Sequence, residues 1–359
     1  MGGSDAASVI VVGAGVFGLA TGLALAEAGM KVRLVAATAP DLTASGVAAG
    51  MLAPAFEMAL DPPAPDALDL LLAGRDLWPD LAGRLGVSLD RTGAAAIGPE
   101  AWLDGLEAQL VALGLEARPA GRVEMEAMSS GLGARFPRAF VTPEDWRIEP
   151  QAALQAMARR LQDLGGTLES GDFTLRDLED AARPVVLATG ADRRLEGLVP
   201  ELAGLSPIKG QILWRSGRTS PAVGVIRTPG AYLLGSGGGL MAGATMEAGR
   251  SDLAADLEAQ VELRGALADA FPTLATEGWV TRVGVRSASP DGLPLAGPAS
   301  RAGVFLAVGA RRNGWLLAPL VATIVTAAIT GEDAGRWAAR LDPLRFARDG
   351  NGGRRRERV

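Results

Sequence analysis

Apolar positions cluster at the start of the chain into a short unbroken run, Ser8-Val-Ile-Val-Val12, which predicts a strand covered on both faces. It leads directly into Gly13-Ala-Gly-Val-Phe-Gly18 and then an alanine- and leucine-rich stretch, 19–28, that predicts a helix closed by Gly29. Residues 31–35 predict the next strand. Further along, 66–85 and 102–113 carry helical apolar spacing, 94–97 and 122–125 read as short strands, and 149–164 reads as an amphipathic helix stopped by Gly165-Gly166. Pro184-Val-Val-Leu-Ala-Thr-Gly-Ala191 predicts a buried strand beside the first one, running into a glycine turn. Then strand follows strand at 208–214, 223–227, 232–234 and 240–245, followed by a helix at 251–271, strands at 279–286 and 304–308, and a closing helix at 314–329. This alternation predicts an α/β chain: a doubly wound, Rossmann-like domain interleaved with a mostly antiparallel α+β domain. The first is expected over 1–83, 148–207 and 281–347, the second over 84–147 and 208–280, with 348–359 a flexible basic tail.

The glycines of the first βαβ unit have separate tasks. Gly13 allows the tight turn, Gly15 lets backbone amides approach a pyrophosphate, and Gly18 permits close packing of helix on strand. The helix N-terminus adds partial positive charge where phosphates would lie. A dinucleotide is therefore expected at this turn.

Composition narrows the chemistry. The 359 residues contain no cysteine and no histidine, which excludes disulfides, thiolate or imidazole metal sites, cysteine nucleophiles and Ser-His-Asp arrangements. A net charge of −6 gives no electrostatic case for nucleic acid. Residues 9–30 are broken by Gly13, Gly15, Gly18 and Glu27, and 315–329 falls short of a span, so stable membrane insertion is not expected. Without a basic leader at the N-terminus, a cytoplasmic location is expected.

Taken together, Gly13-Ala-Gly-Val-Phe-Gly18, Ala44-Ser-Gly-Val-Ala-Ala-Gly-Met-Leu-Ala-Pro54, Pro143-Glu-Asp-Trp146, Leu187-Ala-Thr-Gly190, Pro207-Ile-Lys-Gly-Gln211, Gly243-Ala-Thr-Met246, Val285-Arg286 with Pro290-Asp-Gly-Leu-Pro294, and Arg312-Asn-Gly314 with Leu317-Ala-Pro319 carry a resemblance. Over nearly its whole length the chain resembles the FAD-dependent amine oxidases of the D-amino acid oxidase family, and most closely the glycine oxidases of thiamine biosynthesis. The resemblance implies noncovalent FAD contacted by Gly13, Gly15, Val16, Phe17 and Gly18, by Ala36 and Ala37 after the second strand, and by Ala44, Ser45, Ala49, Gly50 and Met51. It adds Phe173, Thr189, Gly190, Arg311, Arg312, Asn313, Gly314, Trp315 and Leu316 to that set.

It also implies that Arg286 binds an amino acid carboxylate through its bidentate fork, that the hydroxyl of Tyr232 lies near that carboxylate, and that Arg312 is a second substrate-facing arginine. Met51 and Met246 would form apolar pocket walls. The competing readings are a surface Arg286 paired with Asp291 and a core-edge Tyr232. The implied reaction is oxidative deamination of glycine or another small amino acid, by hydride transfer to FAD and reoxidation by oxygen, with thiazole synthase as a partner and a homo-oligomer left open. Alternatives are a D-amino acid dehydrogenase using a quinone, a catalytically idle nucleotide-binding partner subunit, and an NAD-dependent dehydrogenase, although the last would ordinarily use histidine. Three positions depart from the family's pattern: Ala36 where an acid usually holds the adenosine ribose, leaving Asp41 or backbone groups to do so; Ala310 in place of histidine; and Gly235-Ser236 in place of proline and arginine.

Overall fold

Alternate side chains of Ser8–Val12 enter two different cores, which is why its apolar run is unbroken. Val9 and Val11 face one cluster and Ile10 and Val12 the other. The computed structural model describes residues 7–129, 132–217, 224–271, 274 and 278–349. Its first sheet runs Leu295–Pro298, Val304–Val308, Val185–Leu187, Ser8–Val12, Lys31–Ala36, Thr167–Ser170, and all neighbours are parallel except Leu295–Pro298 against Val304–Val308. Helices Val16–Glu27, Pro150–Asp163 and Gly314–Thr330 contribute to the cluster on one face, through Leu19, Leu23, Met157 and Val321.

The second sheet has nine strands centred on the long strand Ser206–Ser216. Val280–Ala288 pairs along one side of it, while Gly239–Gly243 and Glu247–Ala248 share the other. Beyond Gly239–Gly243 come Ala231–Ser236, Val225–Thr228, Ala94–Ile97, Ala139–Thr142 and Arg118–Ala120, all antiparallel to their neighbours except Val225–Thr228 with Ala94–Ile97. One face packs on helix Leu257–Ala270 through Leu263 and Leu267. The other packs on helices Pro54–Leu60 and Glu100–Ala112 through Phe56, Leu103 and Leu106. A three-stranded ribbon of Met51–Leu52, Trp146–Ile148 and Leu89–Asp90 completes the strands.

Several elements differ from expectation. Residues 122–125 are not a strand but the start of helix Arg122–Met128: Met125 and Met128, three apart, are buried, while Arg122 and Val123 are exposed. The expected helix 66–85 is two helices, Leu68–Asp76 and Trp78–Leu85, and Pro79 sits in the first turn of the second, where it needs no amide hydrogen. The helix expected from 251 begins at Leu257, where the Asp256 carboxylate accepts from the amides of Glu258 and Ala259. Val223, expected to open a strand, lies outside the described residues, and the strand is described as Val225–Thr228. The expected tail starts inside helix Arg345–Asp349, and 350–359 lie outside the described residues. Among the described residues no helix is long and apolar enough to cross a membrane.

Candidate active site

Three parallel strands end side by side, and the turns that follow them form a groove of about 130 Å³. Ser8–Val12 leads to Gly13, Val185–Leu187 to Ala188 and Val304–Val308 to Gly309. Ligands of open α/β sheets bind at such C-terminal strand ends. Gly13 has φ +109, and a Cβ there would strike the Ala188 carbonyl; a Cβ on Gly18 would strike the Gly13 carbonyl. Gly15 is the N-cap of Val16–Glu27 and brings no side chain to the helix end. A Cβ there would sit 3.2 Å from the Ser45 hydroxyl, which itself accepts from the Val16 amide at 3.0 Å. Ser45 belongs to a short helix, Ala44–Val47, capped by Thr43.

The groove is lined by Gly15, Val16, Phe17, Ala44, Ser45 and Gly190, and on its far side by Arg311, Arg312, Gly314 and Trp315. A cleft kept open by absent Cβ atoms, fed by helix N-terminal amides and lined with small residues fits the phosphate and ring portions of FAD. The absence of cysteine and histidine suits a noncovalent hold.

The other residues expected at the cofactor are placed as follows. Ala36 ends its strand half-buried, with its carbonyl accepting from the Gly171 amide, and Ala37 is exposed. Asp41 lies exposed in the turn Pro40–Leu42. Phe173 and Leu316 are buried in the cores, and the Thr189 hydroxyl donates to the Asp192 carbonyl at 3.0 Å. None of these lines the groove or the cavity beside it.

That cavity, of about 330 Å³, shares Ala44, Ala48, Arg286, Arg312 and Trp315 with the groove, so the two lie side by side. Ala49, Gly50, Met51, Tyr232, Met246 and Asn313 also line it. Arg286, on Val280–Ala288, lies over the neighbouring strand at Gly210, where a Cβ would run into its guanidinium. Its Nη1 donates to the Thr245 carbonyl at 3.4 Å and meets the Met246 sulfur at 3.5 Å. Asp291 is taken instead by Arg345, at 2.8 and 2.9 Å. Tyr232 lies over Gly243 in the same way, a Cβ there meeting its hydroxyl. Burial pushes the Tyr232 phenol up against the pull of Arg286, Arg227 and Arg312, and burial pushes the Arg286 guanidinium down.

Arg312 follows Arg311, whose φ of 51 turns the chain into helix Gly314–Thr330. Its guanidinium donates to Glu57 at 2.8 and 3.0 Å and to Asp61 at 2.9 Å, and Arg311 meets Asp61 at 2.8 Å. Burial disfavours the Arg312 charge, but Glu57 and Asp61 outweigh it and raise its pKa. Pro319, inside the same helix, cannot donate to the Trp315 carbonyl, and the Trp78 indole does so at 2.9 Å. The Trp315 indole in turn donates to the Ser45 carbonyl at 3.1 Å, tying the closing helix to the groove.

Sequence reasoning missed Glu57, Asp61 and Arg227, and quoted Asp145 within Pro143-Glu-Asp-Trp146 without giving it a role. Buried Asp145 accepts from the amides of Ala55 and Phe56 at 2.8 and 3.2 Å, capping the helix that carries Glu57. Burial pushes its carboxyl up to about 7, against the opposing charge of Arg227. Arg227 lines the cavity beside Tyr232, its partner across the strand pair. The available signal was a charge inside an apolar run: Ala55-Phe-Glu-Met58 and Val225-Ile-Arg227.

Residues 8–328 match the model of a family described as FAD dependent oxidoreductase. The chain is 31% identical to a glycine oxidase of Pseudomonas aeruginosa, over 90% of this chain and 95% of that one. It is 28% identical to the bifunctional protein ThiO/ThiG of Trichormus variabilis, over 88% of this chain and 52% of that one. The crystal structure of glycine oxidase from Geobacillus kaustophilus superposes with a TM-score of 0.80 at 25% identity, covering 94% of this chain and 98% of that one. With the glycine-built groove at the strand ends and a family match over nearly all of its length, the chain belongs to the D-amino acid oxidase family of FAD-dependent oxidoreductases.

Proposed function

We propose that this protein oxidises glycine or another small amino acid to the imine, which water converts to the 2-oxo acid and ammonia. The observation that carries this reading is that Arg286 and Tyr232 line one cavity and that Arg286 also lines the neighbouring groove. When bound in the groove, FAD would supply the two-electron redox chemistry, with oxygen as the final acceptor in this reading. Arg286 takes the substrate carboxylate through its fork and Tyr232 donates its hydroxyl to the same group, so the α-carbon is held in one orientation. The amine must be neutral before hydride leaves, and its proton passes to solvent rather than to a protein imidazole. Arg312, fixed by Glu57 and Asp61 ahead of a helix N-terminus, stabilises negative charge at the junction of cavity and groove.

The glycine oxidase relatives support this substrate class, and the relative named ThiO/ThiG supports a role in supplying thiazole synthesis, with thiazole synthase as partner. We place the reaction in the cytoplasm; among the described residues no helix is able to cross a membrane. The test is the visible spectrum of the purified protein. Flavin bands that bleach when glycine is added without oxygen, and hydrogen peroxide formed when oxygen is admitted, are expected. Flavin-loaded protein that no small amino acid reduces would overturn the reading.

A further inference from the structure

Four guanidiniums and two carboxylates meet around the cavity and its junction with the groove, and their pairing is uneven. Arg311 and Arg312 are closed against Glu57 and Asp61 by hydrogen-bonded ion pairs. Among the described residues Arg286 donates only to a carbonyl and a thioether. Arg227 has less: at 7% exposure, its buried Nε and Nη2 have no hydrogen-bond partner among the described residues, and the nearest carboxylate oxygen, Glu57 Oε1, is 3.7 Å from Nη2. Its guanidinium lies 5.7 Å from the Phe56 ring and 6.0 Å from that of Tyr232. Buried N–H groups of a charged side chain are rarely left bare, because the lost hydration is not recovered.

The sheet register separates the two cations that lack a hydrogen-bonded carboxylate. Val225–Thr228 and Val280–Ala288 stand four strand spacings apart, about 19 Å of backbone at about 4.8 Å each, on opposite sides of the strand that carries Tyr232. Their side chains nevertheless line one cavity together with Tyr232, and each keeps N–H groups without a hydrogen-bonded carboxylate among the described residues, so pairing both charges calls for two anionic groups. We propose that the cavity selects an amino acid with a second carboxylate, the α-carboxylate on Arg286 with Tyr232 and the second on Arg227. This deepens the amine-oxidation reading and rests on it for the reaction, although not for the anion pocket. Arg227 then acts as a specificity residue. A purely structural role, as counter-charge to Glu57 and Asp145, would not discriminate among ligands.

The experiment uses the FAD-loaded protein and two measurements. Calorimetry with unreactive acetate and succinate reads the pocket alone: succinate is expected to bind at least about tenfold more tightly, Arg227→Gln to bring the ratio near one, and Arg227→Lys to recover part of it. Turnover of D-aspartate and iminodiacetate relative to glycine reads it during catalysis, and Arg227→Gln is expected to lower that kcat/KM ratio by about tenfold or more. Equal binding of acetate and succinate by the parent protein overturns the proposal, even if the variants do not fold. So does an Arg227→Gln protein in which all three substrates fall by one factor. Succinate selectivity in a protein that oxidises no amine would uphold the two-anion pocket and sink the oxidase reading separately.

Discussion

Arg286 depends on a glycine it does not adjoin in sequence. Because Gly210 has no side chain, the guanidinium can lie across the neighbouring strand and reach the cavity, where it lacks a hydrogen-bonded carboxylate. Arg286→Ala is expected to cut kcat/KM for amino acids by the equivalent of about 2–5 kcal/mol, the cost of truncating one partner of a buried charged pair, while FAD stays bound. Steady-state kinetics beside the flavin spectrum check this, and unchanged kcat/KM would remove Arg286 from the carboxylate site. Arg286 was legible in the sequence through the Val285-Arg286 and Pro290-Asp-Gly-Leu-Pro294 pattern, and Tyr232 as the one tyrosine, standing where the family places a hydroxyl. Glu57 and Arg227 were not, because a charge in an apolar run becomes meaningful only when folding shows what it faces. The Asp291 partner considered for Arg286 was the nearest acid in sequence, but folding gave it to Arg345, 54 residues away.

At the scale of elements, periodicity identified the strands buried on both faces and the longer helices, since their patterns persist over two turns or more. It failed at 122–125, where four residues are too few to separate a strand's period from a helix's, and at 66–85, where a new helix starts at Trp78 with Pro79 in its first turn. The end of Lys31–Ala36 gives a test of register. A carboxylate introduced as Ala36→Glu should reach the ribose of FAD and slow its loss on dialysis, a gain of up to about 1.5–3 kcal/mol; faster loss would show that this strand does not end beside the ribose.

The long strand Ser206–Ser216 carries another test. Fully buried Lys209 is met by half-exposed Asp252 at 2.7 Å, and Lys209, with Arg250, holds that carboxyl near 2, below its ordinary 3.8. The stabilisation is therefore present above pH about 4 and lost as the pH falls toward 2. Asp252→Asn should lower the Tm at neutral pH, and adding Lys209→Met should recover much of the loss, because an apolar chain of similar length needs no counter-ion. Thermal unfolding of both variants decides it; if the double variant is no better than the single one, the lysine charge was not what Asp252 served.

For the whole molecule, the lack of histidine shapes the pH profile. Activity should rise toward alkaline pH along the ionisation of the substrate amine, and the limb should move when substrates of different amine pKa are compared. A limb near 7 that does not move would be expected from Asp145 and should vanish in Asp145→Asn. A fixed limb that survives in that variant contradicts both assignments.

The chain visits the parallel sheet three times, at 8–36, 167–187 and 295–308, and the second sheet twice between those visits. Ser8–Val12 therefore waits for Val185–Leu187, and Val185–Leu187 for Val304–Val308, before the three turns that form the groove exist together. On a ribosome, order of synthesis becomes order of assembly. No growing chain that ends before residue 304 has a complete floor for the cofactor, however early its glycine turn emerges, so flavin capture belongs to the last stage of the chain's production.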